Sequence, residues 1–280
     1  NNTTLPSQDL VIDVPNVTSA YACFSGATQS GGSVTLKIGA ACTNCNNILT
    51  NSNIKNFCLD AREGVIAKPT LVRAFTGIDS SAPIVITDRV HPTSLEDAFY
   101  AGSSSDVSDT TEFTVNITEC TTMRNMFNCY SGNSVHTVNF HGDSTKLTDM
   151  YRAFYFSFYV SQDLVNINGL INAGKVINID KAFDSATALV NFQGLKDLGK
   201  GFTQKTANYT NYILDLDRCN KLSHDSLVSI INNLYDLNLT YDVANGGTLY
   251  TQKLVLGGTN KGKLTAEEIA VATAKGWTVS

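Results

Sequence analysis

The sequence predicts an α/β repeat solenoid, with one short strand and one short helical turn per 24–29-residue coil and an α/β cap at the C-terminal end. Three observations carry that prediction. A six-residue unit ending in Phe recurs along the chain, and segments alternating apolar and polar residues lie between its copies. Both patterns stop near residue 216, where ordinary helix signals take over. Self-similarity at a period of roughly 20 to 50 residues marks chains whose single units cannot bury their own apolar face and must stack.

The unit opens on Ser, Thr, Asp or Asn, continues with an apolar or small residue and two variable ones, and closes on a small or apolar residue and Phe. It reads Ser19-Ala20-Tyr21-Ala22-Cys23-Phe24, Thr70-Leu71-Val72-Arg73-Ala74-Phe75 and Ser94-Leu95-Glu96-Asp97-Ala98-Phe99. It returns as Thr122-Met123-Arg124-Asn125-Met126-Phe127, Asp149-Met150-Tyr151-Arg152-Ala153-Phe154 and Asn178-Ile179-Asp180-Lys181-Ala182-Phe183. Asn44-Cys45-Asn46-Asn47-Ile48-Leu49 has Leu in place of Phe, and Asp197-Leu198-Gly199-Lys200-Gly201-Phe202 is a decayed copy. From Phe24 to Phe183 the steps are 25, 26, 24, 28, 27 and 29 residues. The opening side chains are those that accept a hydrogen bond from the free N–H groups of a helix start. Apolar residues one, four and five places further on share one face of a helical turn. Each copy is therefore expected to be a short capped helical turn that presses its Phe inward.

Between the units, Val34–Ile38, Phe57-Cys58-Leu59, Ile84-Val85-Ile86-Thr87, Phe113-Thr114-Val115-Asn116-Ile117, Val138-Asn139-Phe140, Val165-Asn166-Ile167 and Val190-Asn191-Phe192 read as strands. Period-two alternation sends their apolar members inside and their Thr and Asn members outside. The outward set is Thr35, Lys37, Thr87, Thr114, Asn116, Asn139, Asn166 and Asn191.

Beyond residue 216, Ser223 is placed to cap a helix through Leu227, Ile230, Ile231, Leu234 and Leu237, whose spacing makes an apolar stripe. An Asn/Gly loop through Asn245-Gly246-Gly247 leads to a strand, Lys253-Leu254-Val255-Leu256. Thr265-Ala266-Glu267-Glu268 reads as a capping box for a last helix stopped near Gly276, and Trp277 is expected to close the core. The division is a lead-in over 1–16, a solenoid over 17–216 and a capping unit over 217–280. A chain opening on Asn1 is expected to come from something longer or processed.

The recurring cap-Leu-x-x-Ala/Met-Phe unit, fullest in Arg124-Asn125-Met126-Phe127, followed by short Leu-x-Leu-like strands, resembles the BspA-like leucine-rich repeats over roughly residues 17–216. The segment Leu264–Ile269 through Gly276-Trp277 is also similar to the tails of repeat-containing phage structural proteins. The resemblance implies a curved, leucine-rich-repeat-like solenoid used for binding by bacterial surface proteins and phage tail proteins. It brings no catalytic residues with it.

Composition narrows the function classes. A net charge of −5 argues against a phosphate-gripping surface, so no nucleic-acid partner is expected. No apolar run approaches the roughly 18 residues of a membrane-spanning helix, so no membrane insertion is expected. Ser, Thr and Asn make 81 of 280 residues while charged residues are only 16%, so small uncharged groups keep the surface wet. That suits a protein outside the cell, on a virion tail or a bacterial surface. Seven cysteines cannot all pair within one chain, and only Cys42-Thr43-Asn44-Cys45 forms a close pair where a structural zinc site usually shows two. The thiols are therefore expected free and buried, with no metal and no cofactor.

Candidate chemistry is sparse. His136, His141 and Asp143 are the densest metal or acid/base group, but they straddle a turn and read as a solvated loop. Asp215 and Asp217 alternate on a predicted strand and would share a face, as a glycosidase pair or as a solvated edge. The aromatic run from Tyr151 to Tyr159 exceeds what one coil buries. It offers Tyr155 and Tyr159 either as a binding platform or as a wide packed corner. The leading expectation is a non-enzymatic receptor-binding or adhesion module for a host cell-surface glycan or protein. It would belong to a phage tail fibre or baseplate, or to a bacterial adhesin, and form a homo-oligomer in some settings. The alternatives are a solenoid enzyme that degrades surface polysaccharide and a structural virion or filament subunit.

Overall fold

A computed structural model describes residues 3–54, 56–78, 83–100, 111–128, 135–155, 164–201, 212–239 and 252–280. The chain is mostly parallel β-sheet with few helices, an α/β arrangement in keeping with a repeat fold. Strands β1 (Leu10–Val14), β2 (Val34–Ile38), β3 (Phe57–Ala61), β4 (Ile84–Ile86), β5 (Thr111–Asn116), β6 (Val135–His141) and β7 (Asn166–Asn168) stack in chain order. After β8 (Ile171–Asn172), β9 (Asn191–Phe192) completes this eight-stranded sheet, while β10 (Leu195–Lys196) pairs with β8 in a small second one. Every pairing is parallel.

The forecast alternation holds along β2, where the buried Val34, Leu36 and Ile38 enclose half-buried Thr35 and Lys37, and fails in β5 at Asn116, which is buried. The lead-in is itself a strand. β1 pairs with β2 from Leu10↔Val34 to Val14↔Ile38, and as an edge strand it leaves Val11 61% exposed.

The recurring units are turns, not helices. Their opening residues bridge one another in a parallel ladder, Ser19, Asn44, Thr70, Ser94, Thr122, Asp149 and Asn178 in succession. The fourth residue of each of these seven units has positive φ, from 50° at Arg152 to 55° at Asn47 and Lys181, which no α-helix tolerates; the decayed copy has it at Asp197 and Gly199 instead. The backbone explains why. In a helix these N–H groups would turn back on their own unit, whereas here alternate ones donate to the next unit. Arg73 N donates to Glu96 O at 3.1 Å and Phe75 N to Ala98 O at 2.8 Å. The opening side chain still accepts an N–H, but two residues on. Tyr151 N donates to Asp149 Oδ1 at 2.9 Å and Asp180 N to Asn178 Oδ1 at 3.2 Å. These are Asx-type turns.

The inward prediction survives this change. Leu71, Ala74 and Phe75, and likewise Met123, Met126 and Phe127, are buried. The Phe rings run through the interior as a column. Centroids lie 5.0 Å apart for Phe75–Phe99, 4.9 Å for Phe99–Phe127, 6.0 Å for Phe127–Phe154 and 5.1 Å for Phe154–Phe183. Each such contact is worth about 0.5–1.5 kcal/mol beyond the area it buries.

The C-terminal residues form a three-stranded parallel sheet of β11 (Ile213–Asp215), β12 (Lys253–Val255) and β13 (Thr278–Val279). Helices α1 (His224–Asn233), α2 (Gly257–Lys261) and α3 (Ala266–Ala274) accompany it. Ser223 caps α1 by accepting from Ser226 N, and Thr265 with Glu268 makes the forecast capping box. Trp277 is buried and its Nε1 donates to Tyr235 O at 3.0 Å. Three Lys275 Nζ contacts, to the carbonyls of Ile231, Asn232 and Leu234, tie α3 to the C-terminal end of α1.

Cys42, Cys45, Cys120 and Cys219 are buried free thiols, Cys58 is half-buried and Cys23 is exposed. Cys23 belongs to the first unit, which has a neighbour on one side only. Cys129 lies outside the described residues.

Candidate functional site

Parallel in-register pairing converts the outward residues of the strands into ranks that run across the sheet, and these residues fall into three. One rank passes through Val11, Thr35, Cys58, Val85, Thr114, Asn139 and Asn168. A second holds Asp13, Lys37 and Asp60, with Asn116 opposite His141 further along. The third holds Glu112, Thr137, Asn166 and Asn191.

Hydrogen bonds link the first and third ranks into two amide chains. Asn168 Nδ2 donates to Asn139 Oδ1 at 2.8 Å, and Asn139 Nδ2 to Thr114 Oγ1 at 3.3 Å. Alongside, Asn191 Nδ2 donates to Asn166 Oδ1 at 2.7 Å, and Asn166 Nδ2 to Thr137 Oγ1 at 3.2 Å. Asn168 and Thr137 were not among the sequence candidates. Only the strand register identifies them.

The second rank is of another kind. Asp60 is buried and accepts from Arg89 Nε at 3.1 Å and from Arg89 Nη2, Thr87 Oγ1 at 2.6 Å and Ala61 N at 2.8 Å. Burial alone would raise its pKa. The Arg89 fork, the Thr87 hydroxyl and the Ala61 N–H outweigh burial and hold it below the ordinary value. Thr87 is thus committed to a structural ion pair. Asn116 is buried at 9% exposure, and its Oδ1 accepts from Thr118 N at 3.0 Å. It shapes a turn and is withdrawn from the open face. Lys37 is half-buried and makes no ion pair among the described residues.

Tyr155 belongs to the turn edge. Its half-buried ring lies 5.0 Å from the Arg152 guanidinium, and Tyr151 takes Arg124 at 4.7 Å and Arg152 at 5.1 Å. Tyr159, with Phe156 and Phe158, lies outside the described residues.

Asp215 and Asp217 do come together, but in a bend. Asp217 N donates to Asp215 Oδ1 at 3.0 Å. Both line a cleft of about 370 Å³ where the turn at Asn178–Phe183 meets the C-terminal sheet, with Asp180, Asp184, Lys181 and Arg218. Arg218 Nη1 lies 3.9 Å from Asp184 Oδ1. The geometry at Asp217 demands glycine opposite: Gly257 has φ +69°, and a Cβ there would sit 1.8 Å from Asp217 Oδ1.

The histidine group does not converge. His141 Nδ1 lies 3.9 Å from Asp88, Asp143 accepts from Asn172 Nδ2 at 3.0 Å, and the His136 side chain is outside the described residues. Among the described residues no three His, Cys, Asp or Glu side chains are placed to hold a metal ion. No described helix is long and apolar enough to cross a membrane.

No protein-family model, curated protein or solved structure matches the chain.

Proposed function

We propose that the chain is a BspA-like, leucine-rich-repeat-like solenoid acting as a non-enzymatic recognition module outside the cell. In this reading it is the receptor-binding part of a phage tail fibre or baseplate protein, or of a bacterial surface adhesin. Its strand face contacts a host cell-surface glycan or protein. The observation that carries the reading is the pair of amide chains on one parallel sheet, Thr114–Asn139–Asn168 and, beside it, Asn166–Asn191 anchored on the buried Thr137. Internal bonds orient these groups before any ligand arrives, so little side-chain entropy is lost on binding. Strand spacing of about 4.8 Å sets their repeat, which fits multivalent contact with a polar, uncharged partner.

The test replaces Thr114, Asn139, Asn166, Asn168 and Asn191 together with Ala and measures binding to glycan arrays and to a panel of bacterial cells. Loss of retention with an unchanged circular dichroism spectrum supports the reading. Unchanged retention removes the strand face from consideration.

The acidic cleft favours a second reading, cleavage of surface polysaccharide, because four aspartates line one cavity. Incubation with capsule or wall glycan followed by a reducing-end assay decides it. Activity lost in both Asp215→Asn and Asp217→Asn supports the enzyme, and absence of new reducing ends sinks it.

A further inference from the structure

Arginines in this chain are answered by aspartates. Arg62 bonds Asp13 at 3.3 Å, Arg73 bonds Asp97 at 3.3 Å and Arg124 bonds Asp149 at 2.8 Å. Arg89 bonds Asp60, and Arg218 lies 3.9 Å from Asp184. The sequence holds one more, Arg152, and it alone makes no ion pair among the described residues. Its Nε is shut away from solvent and meets no hydrogen-bond acceptor. What holds the guanidinium is aromatic: the rings of Tyr151 at 5.1 Å and Tyr155 at 5.0 Å.

The register of the turns explains the missing partner. Arg73 and Asp97 are the fourth residues of consecutive units, and Arg73 N donates to Glu96 O. Arg152 occupies the same place two units after Asp97, and its N donates to Asp180 O in the corresponding way. The residue standing where Asp97 answers Arg73 is now Lys181, a second cation. Asp180 forms no ion pair with either among the described residues. No aspartate therefore stands at that place to answer Arg152, while Lys181 itself lines the cleft that holds Asp180, Asp184, Asp215 and Asp217.

We propose that Arg152, held by Tyr151 and Tyr155, is a binding site for the carboxylates of an acidic polysaccharide. The chemistry selects the ligand. The guanidinium carbon lies within about 5 Å of both ring centroids and its Nε is closed off, which leaves the terminal amino groups to meet a ligand. They meet an acceptor in their own plane, which suits a carboxylate. An isolated arginine gains little from an acidic peptide, whose flexible side chains must be ordered on binding. A uronate carboxylate is fixed to its ring and repeats along the polymer. The site lies on the turn edge and does not depend on the strand-face reading.

The probes are an oligogalacturonate, its methyl ester and a hexasaccharide alternating glucuronate with N-acetylglucosamine. Each is titrated calorimetrically into the full chain at low salt. At least one acid is expected to bind, with affinity falling as salt rises. Methyl esterification and Arg152→Gln are each expected to weaken binding tenfold or more, since each removes one partner of a charge-assisted hydrogen bond. Arg152→Lys retains part of the affinity and Arg62→Gln all of it. Thermal unfolding of Arg152→Gln at the wild-type temperature shows the fold intact. Failure of both acids to bind, equal binding of acid and ester, or wild-type affinity in Arg152→Gln overturns the site. An oligoglutamate that binds more tightly than either glycan, with the same dependence on Arg152, overturns the assignment to polysaccharide. The strand-face variant keeps this binding, which separates the two surfaces.

Discussion

The rings of Phe99 and Phe127 lie face to face, 4.9 Å between centroids and 11° from parallel, one turn unit upon the next. Both also abut neighbours in the same column, Phe75 on one side and Phe154 on the other. The interior is thus a shared resource of adjacent units, and its energetics are those of the interfaces.

Phe127→Ala should show this directly. The residue is fully buried, and truncating a buried Phe costs about 3–5 kcal/mol. Urea unfolding is expected to become less cooperative, with the early transition reported by amides of the units on either side. A single transition at the wild-type midpoint would contradict the column.

The Asp60–Arg89 pair gives a pH dependence whose sign is fixed. Its folded pKa lies below the ordinary 3.8, so the unfolded chain takes up this proton first as pH falls. The stabilisation is whole above that ordinary value and is lost as pH drops through the lower folded one. Asp60→Asn should flatten the acid limb of the stability curve below the ordinary carboxylate value of 3.8, measured by thermal melts at falling pH. An unchanged limb would mean the pair contributes nothing.

Ala22 occupies the left-handed region at φ 51° with no side chain to hydrogen-bond locally. Ala22→Gly should raise stability by about 0.5–1 kcal/mol, because relief of the left-handed cost exceeds the added flexibility of the unfolded chain. Ala22→Val should do the opposite. Chemical denaturation of the two variants checks the pair, and equal midpoints would deny the turn geometry.

Lys275→Met removes the ammonium that bonds three carbonyls at the end of α1 while keeping most of its apolar stem. A loss of about 1–3 kcal/mol is expected. Faster amide hydrogen exchange should appear in α1 before it appears in β2 or β3. Uniform exchange across the chain would contradict that role.

Much of this architecture was written in local pattern. The six-residue units, the strands from Val34 onward, the Ser223 cap and the Thr265 box follow from spacing and side-chain type. The error over helical turns has a physical source. An Asp or Asn that caps a helix and one that opens an Asx turn both accept a nearby N–H, and the bonds that decide between them run to residues 23–28 places away. β1 is not legible in the sequence because Leu10-Val11-Ile12 is apolar without alternation and precedes the first unit. The outward residues were recognised by type, yet Asn116 and Asn139 could not be told apart without register and burial. Arg152 was visible as a letter. Its isolation emerged only when Lys181 fell into the place of Asp97.

Both backbone ladders, through the strands and through the turns, run from one coil to the next. A load pulling the two ends of the chain apart therefore meets these bonds one rung after another, as in a zipper opened from its end. Yield would come in small successive steps set by the weakest rung.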